Sequence, residues 1–368
     1  MTQVQRDVVI VGAGPAGASA ARVAAAAGLS TLVIDRKQFA GEPIQCAEWV
    51  PRSLLSHVTQ HAGCLQRTDN LVTEAPGGMH SVMPMPGAMV DRARFDSVLC
   101  ANARAQGAKF HWHIRLRAVD PVLRQITVIR NRREMQIRFR RLIAADGPRS
   151  RVAQLLGMPV MPMIQSRQYR VAVGSPLQDI HTWLSPEYPG GYAWLFPRGK
   201  HANLGIAMGA CTRAGSSSGR YESVERSLQK NLDALHLRLV GSGQVDSEVL
   251  SMTGGAIPVG GLRKQLVAGP VLFAGDAAGC VDPITGAGIA NAVYSGEMAG
   301  SACVDGLLHR NRNALSAYDE ELRELLAGSQ RHALERRRWL ESSAEPDLRY
   351  AWIGFSVYHE ALPLEKTR

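Results

Sequence analysis

A glycine-rich turn set between two apolar runs constrains this chain more than any other stretch. Asp7-Val-Val-Ile-Val11 leads at once into Gly12-Ala-Gly14-Pro-Ala-Gly17, then an alanine-rich stretch to residue 27 and a second apolar run over 31–34. A continuous apolar run suits a parallel strand covered on both faces. Gly12 permits the tight strand-to-helix turn, Gly14 lets backbone approach a pyrophosphate, and Gly17 lets the helix close on the sheet. Asp35 ends the second strand, about 20 residues on, where a carboxylate accepts from a ribose hydroxyl and repels a 2′-phosphate. These residues predict a βαβ dinucleotide-binding unit. Alone, they leave NAD and FAD open.

The partner of this unit lies late in the sequence. An apolar run over 271–274 enters Gly275-Asp276, small residues and Pro283 follow, and Gly286-Ala287-Gly288-Ile289 opens an expected helix over 289–305. A strand end that delivers a carboxylate, beside free N–H groups at a helix N-terminus, suits a polyol and an electron-rich ring. Asp146-Gly147 repeats the logic after an apolar run over 142–145, with Ser150 as the expected cap of a short helix to residue 156.

Between these landmarks the readings are more open. Gly41-Glu42-Pro43-Ile44-Gln45-Cys46-Ala47-Glu48-Trp49-Val50-Pro51 is an irregular loop, because glycine and two prolines interrupt it. Cys46 reads either as a small buried hydrophobe or, in the company of Glu48 and Trp49, as a site residue. Residues 71–90 predict a hairpin or crossover. Asp91 is a plausible N-cap for a helix running to residue 107, in whose first turn Arg92 either meets a phosphate or sits in solvent. Residues 109–119 alternate as one strand with His111 and His113 on one face, and a polar sheet face is favoured over a metal there because no third ligand is near. A hairpin is expected over 126–139 around Asn131.

Residues 160–265 change character to alternating strands with hairpin turns. Gly191-Tyr192-Ala-Trp194-Leu-Phe196-Pro197 places three aromatics on one face, turns at 198–202 and returns at 203–207. That face is either the wall for a flat ring and substrate or a core face packed by helices. A glycine-serine run at 215–219 leads to a helix expected over 221–237, residues 311–340 read as a charged helical region, and an aromatic tail follows at 350–355.

Composition excludes several classes. The 368 residues are 45% hydrophobic and 20% charged, as in an ordinary globular protein. No apolar run approaches the roughly 20 residues of a membrane-spanning helix. The N-terminus reads as a first strand rather than a signal peptide, and six cysteines without Cys-x-x-Cys spacing predict a reduced, cytoplasmic setting with no disulfide framework and no metal. The formal charge of +10 gathers in Arg130-Asn-Arg-Arg133, in 138–141 and in Arg336-Arg-Arg338. These runs read as a solvated hairpin and helix end, or as a surface for an acidic partner or anionic lipid. No nucleic-acid-binding module accompanies them.

In order and spacing the elements resemble the geranylgeranyl reductase family of flavoproteins, within the p-hydroxybenzoate hydroxylase-like fold group. The resemblance spans residues 5–300 and rests on the Gly12 fingerprint with Asp35, the Pro43-to-Glu48 loop, Arg92-x-x-Phe95-Asp96, Asp146-Gly147, Tyr192-x-Trp194-x-Phe196-Pro197 with Asn203-x-Gly205, and Gly275-Asp276 through Gly288. The loop departs from the family in carrying Trp49 after Glu48, where the reductases usually have glycine. The resemblance implies an α/β fold, a Rossmann-like FAD-binding domain (1–70, 91–160 and 265–318) with an inserted antiparallel β-sheet substrate domain (71–90 and 161–264) and a C-terminal helical segment (319–368). It implies that FAD meets Gly12, Gly14, Ala16, Gly17, Asp35, Arg36, Cys46, Arg92, Asp146, Gly147, Gly275, Asp276, Pro283, Gly286, Ala287, Gly288 and Ile289. Arg92 would contact a phosphate, and the N–H groups of 286–289 would face the flavin.

Cys46, Tyr192 and Trp194 are then the candidate catalytic residues on the substrate side. NAD(P)H would bind transiently as electron donor, since no second fingerprint gives it a domain. Three activities fit this scaffold, because fold does not choose among them. One is C=C reduction in a bulky apolar substrate. Another is hydroxylation of an aromatic ring, in a small molecule or in a tryptophan of a polypeptide. The third is a flavin-binding sensor or assembly protein without turnover. The expected partner is a bulky apolar or aromatic molecule or a protein substrate, with peripheral membrane contact but no nucleic acid.

Overall fold

The computed structural model describes residues 4–57, 63–209 and 224–342, so Cys211, the run at 215–219 and the tail at 350–355 lie outside the described residues. The α-helices among them are α1 (Pro15–Ala26), α2 (Arg52–His57), α3 (Arg92–Ala105), α4 (Arg151–Leu155), α5 (Val224–Gly241), α6 (Ile289–Leu307) and α7 (Ala314–Ser342).

The first sheet is built on the opening apolar run. Its parallel core runs from Lys109–His111 through Thr31–Ile34, Val4–Val11 and Arg133–Ala144 to Val271–Phe273. Val9 stands beside Leu32 on one side and Leu142 on the other, so both early and late motifs end at the same sheet edge. Val8, Val9 and Ile10 are fully buried, as a central parallel strand requires. Helix α1 crosses close to the sheet because a Cβ at Gly17 would lie 1.9 Å from the Gly12 carbonyl oxygen. Helix α6 then packs on α1 where a Cβ at Gly296 would lie 2.1 Å from the Ala16 oxygen. The result is an α/β fold with the dinucleotide-type unit at its centre.

The second sheet has the order Val249–Pro258, Met163–Ala172, His201–Met208, Tyr192–Arg198, Ile180–Trp183, Cys64–Ala75, Met79–Val90 and Trp49–Pro51. It is antiparallel except where Ile180–Trp183 runs parallel to Cys64–Ala75. It also takes in Trp49–Pro51 and Cys64–Ala75, ahead of residue 71, because the strands 64–75 and 79–90 pair along their length through the Gly77–Gly78 turn. Helix α5 covers one face, its Leu228, Leu232, Leu235 and Leu239 packing against Val171, Leu195, Leu204 and Ile206. The opposite face, with Trp194 and Phe196, meets Ile284 of the late loop and Ala333 of α7.

Some local expectations hold. Asp91 caps α3 by accepting from the Arg94 N–H at 3.1 Å, Ser150 caps α4 by accepting from the Ala153 N–H, and the hairpin turns at Asn131–Arg132. Others need correction. The alternating stretch at 109–119 is not one strand. His113 adopts φ +57°, and its N–H donates to the Lys37 oxygen, which separates Lys109–His111 from Arg115–Asp120. The charged run at 336–338 is not a solvated helix end throughout, because Arg337 is only 4% exposed and donates to the backbone oxygens of Gly190 and Pro283. Helix α7 fills the expected helical region and is tied to the first sheet and its flanking loop. The Tyr318 hydroxyl donates to the Phe273 oxygen and Arg323 donates to the Arg263 and Lys264 oxygens.

Candidate flavin site

The early unit presents one open glycine between two closed ones. A Cβ at Gly12 would lie 2.2 Å from the Ala145 oxygen, whereas one at Gly14 would find nothing within 4 Å. Gly14 is also the N-cap of α1 and supplies no side-chain cap, so the first N–H groups of α1 are offered to a ligand that comes close to the backbone. The Asp35 carboxylate accepts from the Ala13 N–H at 2.7 Å and from the Lys37 N–H at 2.8 Å, which fixes its plane at the strand end. Arg36 beside it is exposed.

Asp146 lies against the Gly12 turn, its Oδ2 accepting from the Val152 N–H at 3.0 Å while its Oδ1 is buried without a partner. Burial pushes its carboxyl above the usual range, against the pull of the Ser150 and backbone hydrogen bonds. A buried acceptor without a donor and a turn with open backbone both fit a nucleotide carrying hydroxyls and a pyrophosphate.

At the late loop, Gly275 turns the chain at φ +61°, with its Cβ position 2.9 Å from Ala16, so this turn sits on the start of α1. The Asp276 carboxylate faces the entry to α6, Oδ1 lying 3.4 Å from where a Gly288 Cβ would be. Burial raises its pKa, and Arg92 opposes that rise. Asp282 organises the loop, its Oδ1 accepting from the Ile284 and Thr285 N–H groups and from the Thr285 hydroxyl. The Gly286 N–H donates to the Asp282 oxygen and the Ala287 N–H to the Thr285 hydroxyl. Both are committed inside the loop, which corrects the expectation for 286–289: what is left to face a ligand is the turn at Gly288 and Ile289. Gly288 caps α6 without a side-chain bond.

The third component is the Cys46 loop, and the structure builds it around Glu48. This carboxylate is fully buried. Its Oε2 accepts from Arg170 at 2.7 Å, Arg198 at 3.2 Å and Asn203 at 3.0 Å, and its Oε1 from the Arg92 N–H at 3.2 Å. Glu48 takes φ +70°, and its N–H donates to the half-buried Cys46 sulfur at 3.2 Å. The Arg92 guanidinium faces the same sulfur, but it is tied bidentately to Asp96 at 2.9 Å; burial works against its charge, and the Asp96 carboxylate more than offsets this and holds its pKa above the ordinary value. Trp49 lies over Gly87 and donates to the Thr68 hydroxyl, which anchors the far end of the loop to the second sheet.

The two aromatic candidates differ in position. Trp194 is 5% exposed, lies flat on Gly205 and donates to the Gln168 Oε1 at 3.0 Å; the Gln168 amide in turn donates to the Cys46 oxygen. Tyr192 is half-buried, donates to the Thr285 oxygen at 2.5 Å, and has its phenol held protonated by burial and by Asp282 and Cys46 nearby. The strand thus touches the Cys46 loop and the late loop at once. The buried thiols Cys100, Cys280 and Cys303 are each pushed up to about 12 by burial and are inert by comparison.

A hollow of about 610 Å³ at the hairpin's other end, beside Arg67 and Lys200, contains none of these candidates. Among the described residues no group of three or more His, Cys, Asp or Glu is arranged to hold a metal, and no helix is long and apolar enough to cross a membrane. Sequence reasoning passed over Gln168, Arg170 and Arg198. Gln168 and Arg170 occupy ordinary alternating strand positions and Arg198 reads as the start of a turn, though it ends the strand Tyr192–Arg198; only the closing of the loop onto the sheet reveals their use.

Known proteins resemble this chain in sequence and in fold. The FAD binding domain family matches residues 5–328. The digeranylgeranylglycerophospholipid reductase of Methanocella arvoryzae is 30% identical over 350 residues, covering 88% of this chain and 84% of that protein. Digeranylgeranylglycerophospholipid reductase 2 of Methanopyrus kandleri is 29% identical over 366 residues, covering 93% and 88%. In fold, a geranylgeranyl bacteriochlorophyll reductase-like protein from Thermoplasma acidophilum superposes with a TM-score of 0.79 at 21% identity over 96% of each chain. The myxobacterial chondrochloren halogenase superposes with 0.73 at 16% identity over 95% and 86%. The family match spans both halves of the site and the sheet between them, and the chain therefore belongs to the FAD-binding domain family, among its oxidoreductases of geranylgeranyl reductase type.

Proposed function

We propose that this protein is an FAD-dependent reductase that saturates carbon–carbon double bonds in a long isoprenoid chain of a lipid, with NAD(P)H as its transient electron donor. The observation that carries the reading is the meeting of the Cys46 loop, the late loop and the Tyr192 strand at one place, in a chain whose relatives are named as lipid reductases. Gly12, Gly14, Ala16 and Gly17 would receive the pyrophosphate, Asp35 the adenosine ribose with Arg36 at its rim, and Asp146-Gly147 and Gly275-Asp276 the polyol side. When bound and reduced by NAD(P)H, FAD would supply the hydride that the reaction requires.

The chain's own part is positioning and charge. The N-terminus of α6, at Gly288 and Ile289, offers N–H donors and a positive dipole end to the negative charge that reduction brings to the ring. Pro283 and Ala287 shape the loop ahead of it. Arg92, held by Asp96, keeps a cation between Cys46 and Asp276. Saturating a double bond takes one hydride and one proton. Cys46 and Tyr192 are the proton-bearing side chains at the junction, and Trp194 braces the Cys46 loop from behind through Gln168.

The test is anaerobic incubation of the FAD-loaded protein with NADH or NADPH and a lipid bearing geranylgeranyl chains, followed by mass spectrometry. Gain of one H₂ per double bond is expected, with strong loss in Cys46→Ser. No saturation, together with oxygen-dependent hydroxylation of an aromatic acceptor, would overturn the assignment.

A further inference from the structure

We infer that Gln330 and Arg337 of α7 are positioning residues for the flavin, acting through the peptide planes of the loop from Gly279 to Ile284. The inference rests on the FAD reading of that loop. Both residues lie beyond residue 328, where the family match ends, and both are almost fully buried in a helix that is otherwise rich in charge.

Their bonds fall on alternate carbonyls of the loop. The Gln330 amide donates to the Gly279 oxygen at 2.9 Å and the Val281 oxygen at 3.2 Å, while its Oε1 accepts from the Leu262 N–H at 3.0 Å. The Arg337 Nη1 donates to the Pro283 oxygen at 3.0 Å and to the Gly190 oxygen at 3.1 Å, just ahead of the strand that carries Tyr192. A peptide unit is planar, so holding its C=O from outside aims its N–H inward. The three units held this way point their N–H groups into the loop itself. Cys280 donates to the Gly275 oxygen, Asp282 to the Ala287 oxygen, and Ile284 to the Asp282 carboxylate. Those three inner bonds set the Gly275 turn, the approach to Gly288 and the Asp282 hub. Two side chains on a helix remote in sequence therefore fix the direction in which the α6 N-terminus is presented, and Arg337 fixes it relative to Tyr192.

The experiment uses the full chain as Gln330→Met, Arg337→Met and Arg337→Lys, beside wild type. Each apoprotein is titrated with FAD, the bound flavin's visible spectrum is recorded, and hydrogen exchange follows the amides of Cys280, Asp282 and Ile284. The expected result is unchanged far-UV circular dichroism, FAD bound about tenfold more weakly, the size of one or two lost hydrogen bonds, a shifted flavin spectrum and faster exchange at the three amides. Arg337→Lys, which keeps a donor, should recover part of the loss. If Gln330→Met does not fold, Gln330→Glu keeps the Leu262 contact, loses both carbonyl bonds and is read in the same way. Variants that fold and bind FAD with wild-type affinity, spectrum and exchange overturn the inference. A wild type that takes up no FAD overturns the FAD reading instead.

Discussion

Glu48 shows how much one buried carboxylate can organise. It sits in the left-handed region, a conformation that costs about 1–3 kcal/mol for a non-glycine residue unless the surroundings hold it. Here Arg170, Arg198, Asn203 and the Arg92 N–H hold it, and its own N–H reaches the Cys46 sulfur. Glu48→Gln takes the anion from Arg170 and leaves Arg198 with Asp91 alone, and breaking a buried pair of this kind costs about 3–5 kcal/mol. A clear drop in the urea midpoint is expected, with faster alkylation of Cys46 as the loop loosens; an unchanged midpoint and alkylation rate would rule this role out. Asp146 carries a different prediction. Burial raises its pKa above 3.8, so the folded chain binds its proton more tightly than the unfolded chain does. That contribution is full below pH 3.8 and is lost as pH rises through the folded value. Asp146→Asn removes it, so the melting temperature of the apoprotein variant should gain on wild type as pH moves from 4 toward neutrality. A constant difference across that range would show that the carboxyl is not held protonated.

At the scale of elements, closeness between helices is set by small residues. Helices α1 and α6 approach where Gly296 faces Ala16 and Gly300 faces Ala20, with Cβ positions 2.1 and 2.8 Å from the facing backbone oxygens. Since the Gly275 turn rests on Ala16 and Ala292, this contact also sets where the late loop lies relative to the first fingerprint. Gly296→Ala should cost about 1–3 kcal/mol, as overpacking typically does, and should lower FAD retention together with thermal stability. A variant as stable as wild type would mean that the helices can part without cost. The second sheet shows the reverse arrangement. Gly205 and Gly87 leave room for the flat rings of Trp194 and Trp49, so each tryptophan braces the Cys46 loop without displacing a neighbouring strand.

Across the whole molecule, two sheets meet at the site and neither holds it alone. The parallel sheet supplies Gly12–Gly17, Asp35, Asp146 and Gly275-Asp276 at one edge, and the second sheet supplies Tyr192, Gln168, Arg170 and Arg198. Asp276→Ala removes the carboxylate at the entry to α6 while leaving both sheets paired. Purified wild type should be yellow with an oxidised-flavin spectrum, and the variant should retain markedly less FAD after gel filtration. Equal retention would remove Asp276 from the cofactor's contacts.

What the sequence determined by itself is the part built from local rules. Apolar runs, glycines at required close approaches, and the caps Asp91 and Ser150 act within a few residues of themselves, so the βαβ unit, the late loop with α6 and the change to hairpin strands at residue 160 were legible. The tertiary structure decided what depends on partners far along the chain. That His113 breaks a strand, that Gly286 and Ala287 spend their N–H groups inside the loop, and that Arg337 is buried follow from bonds no periodicity encodes. A buried polar side chain is satisfied by whichever groups the fold brings to it. Glu48 therefore found its arginines, and the late loop its Gln330, only when the two sheets and α7 closed on one another.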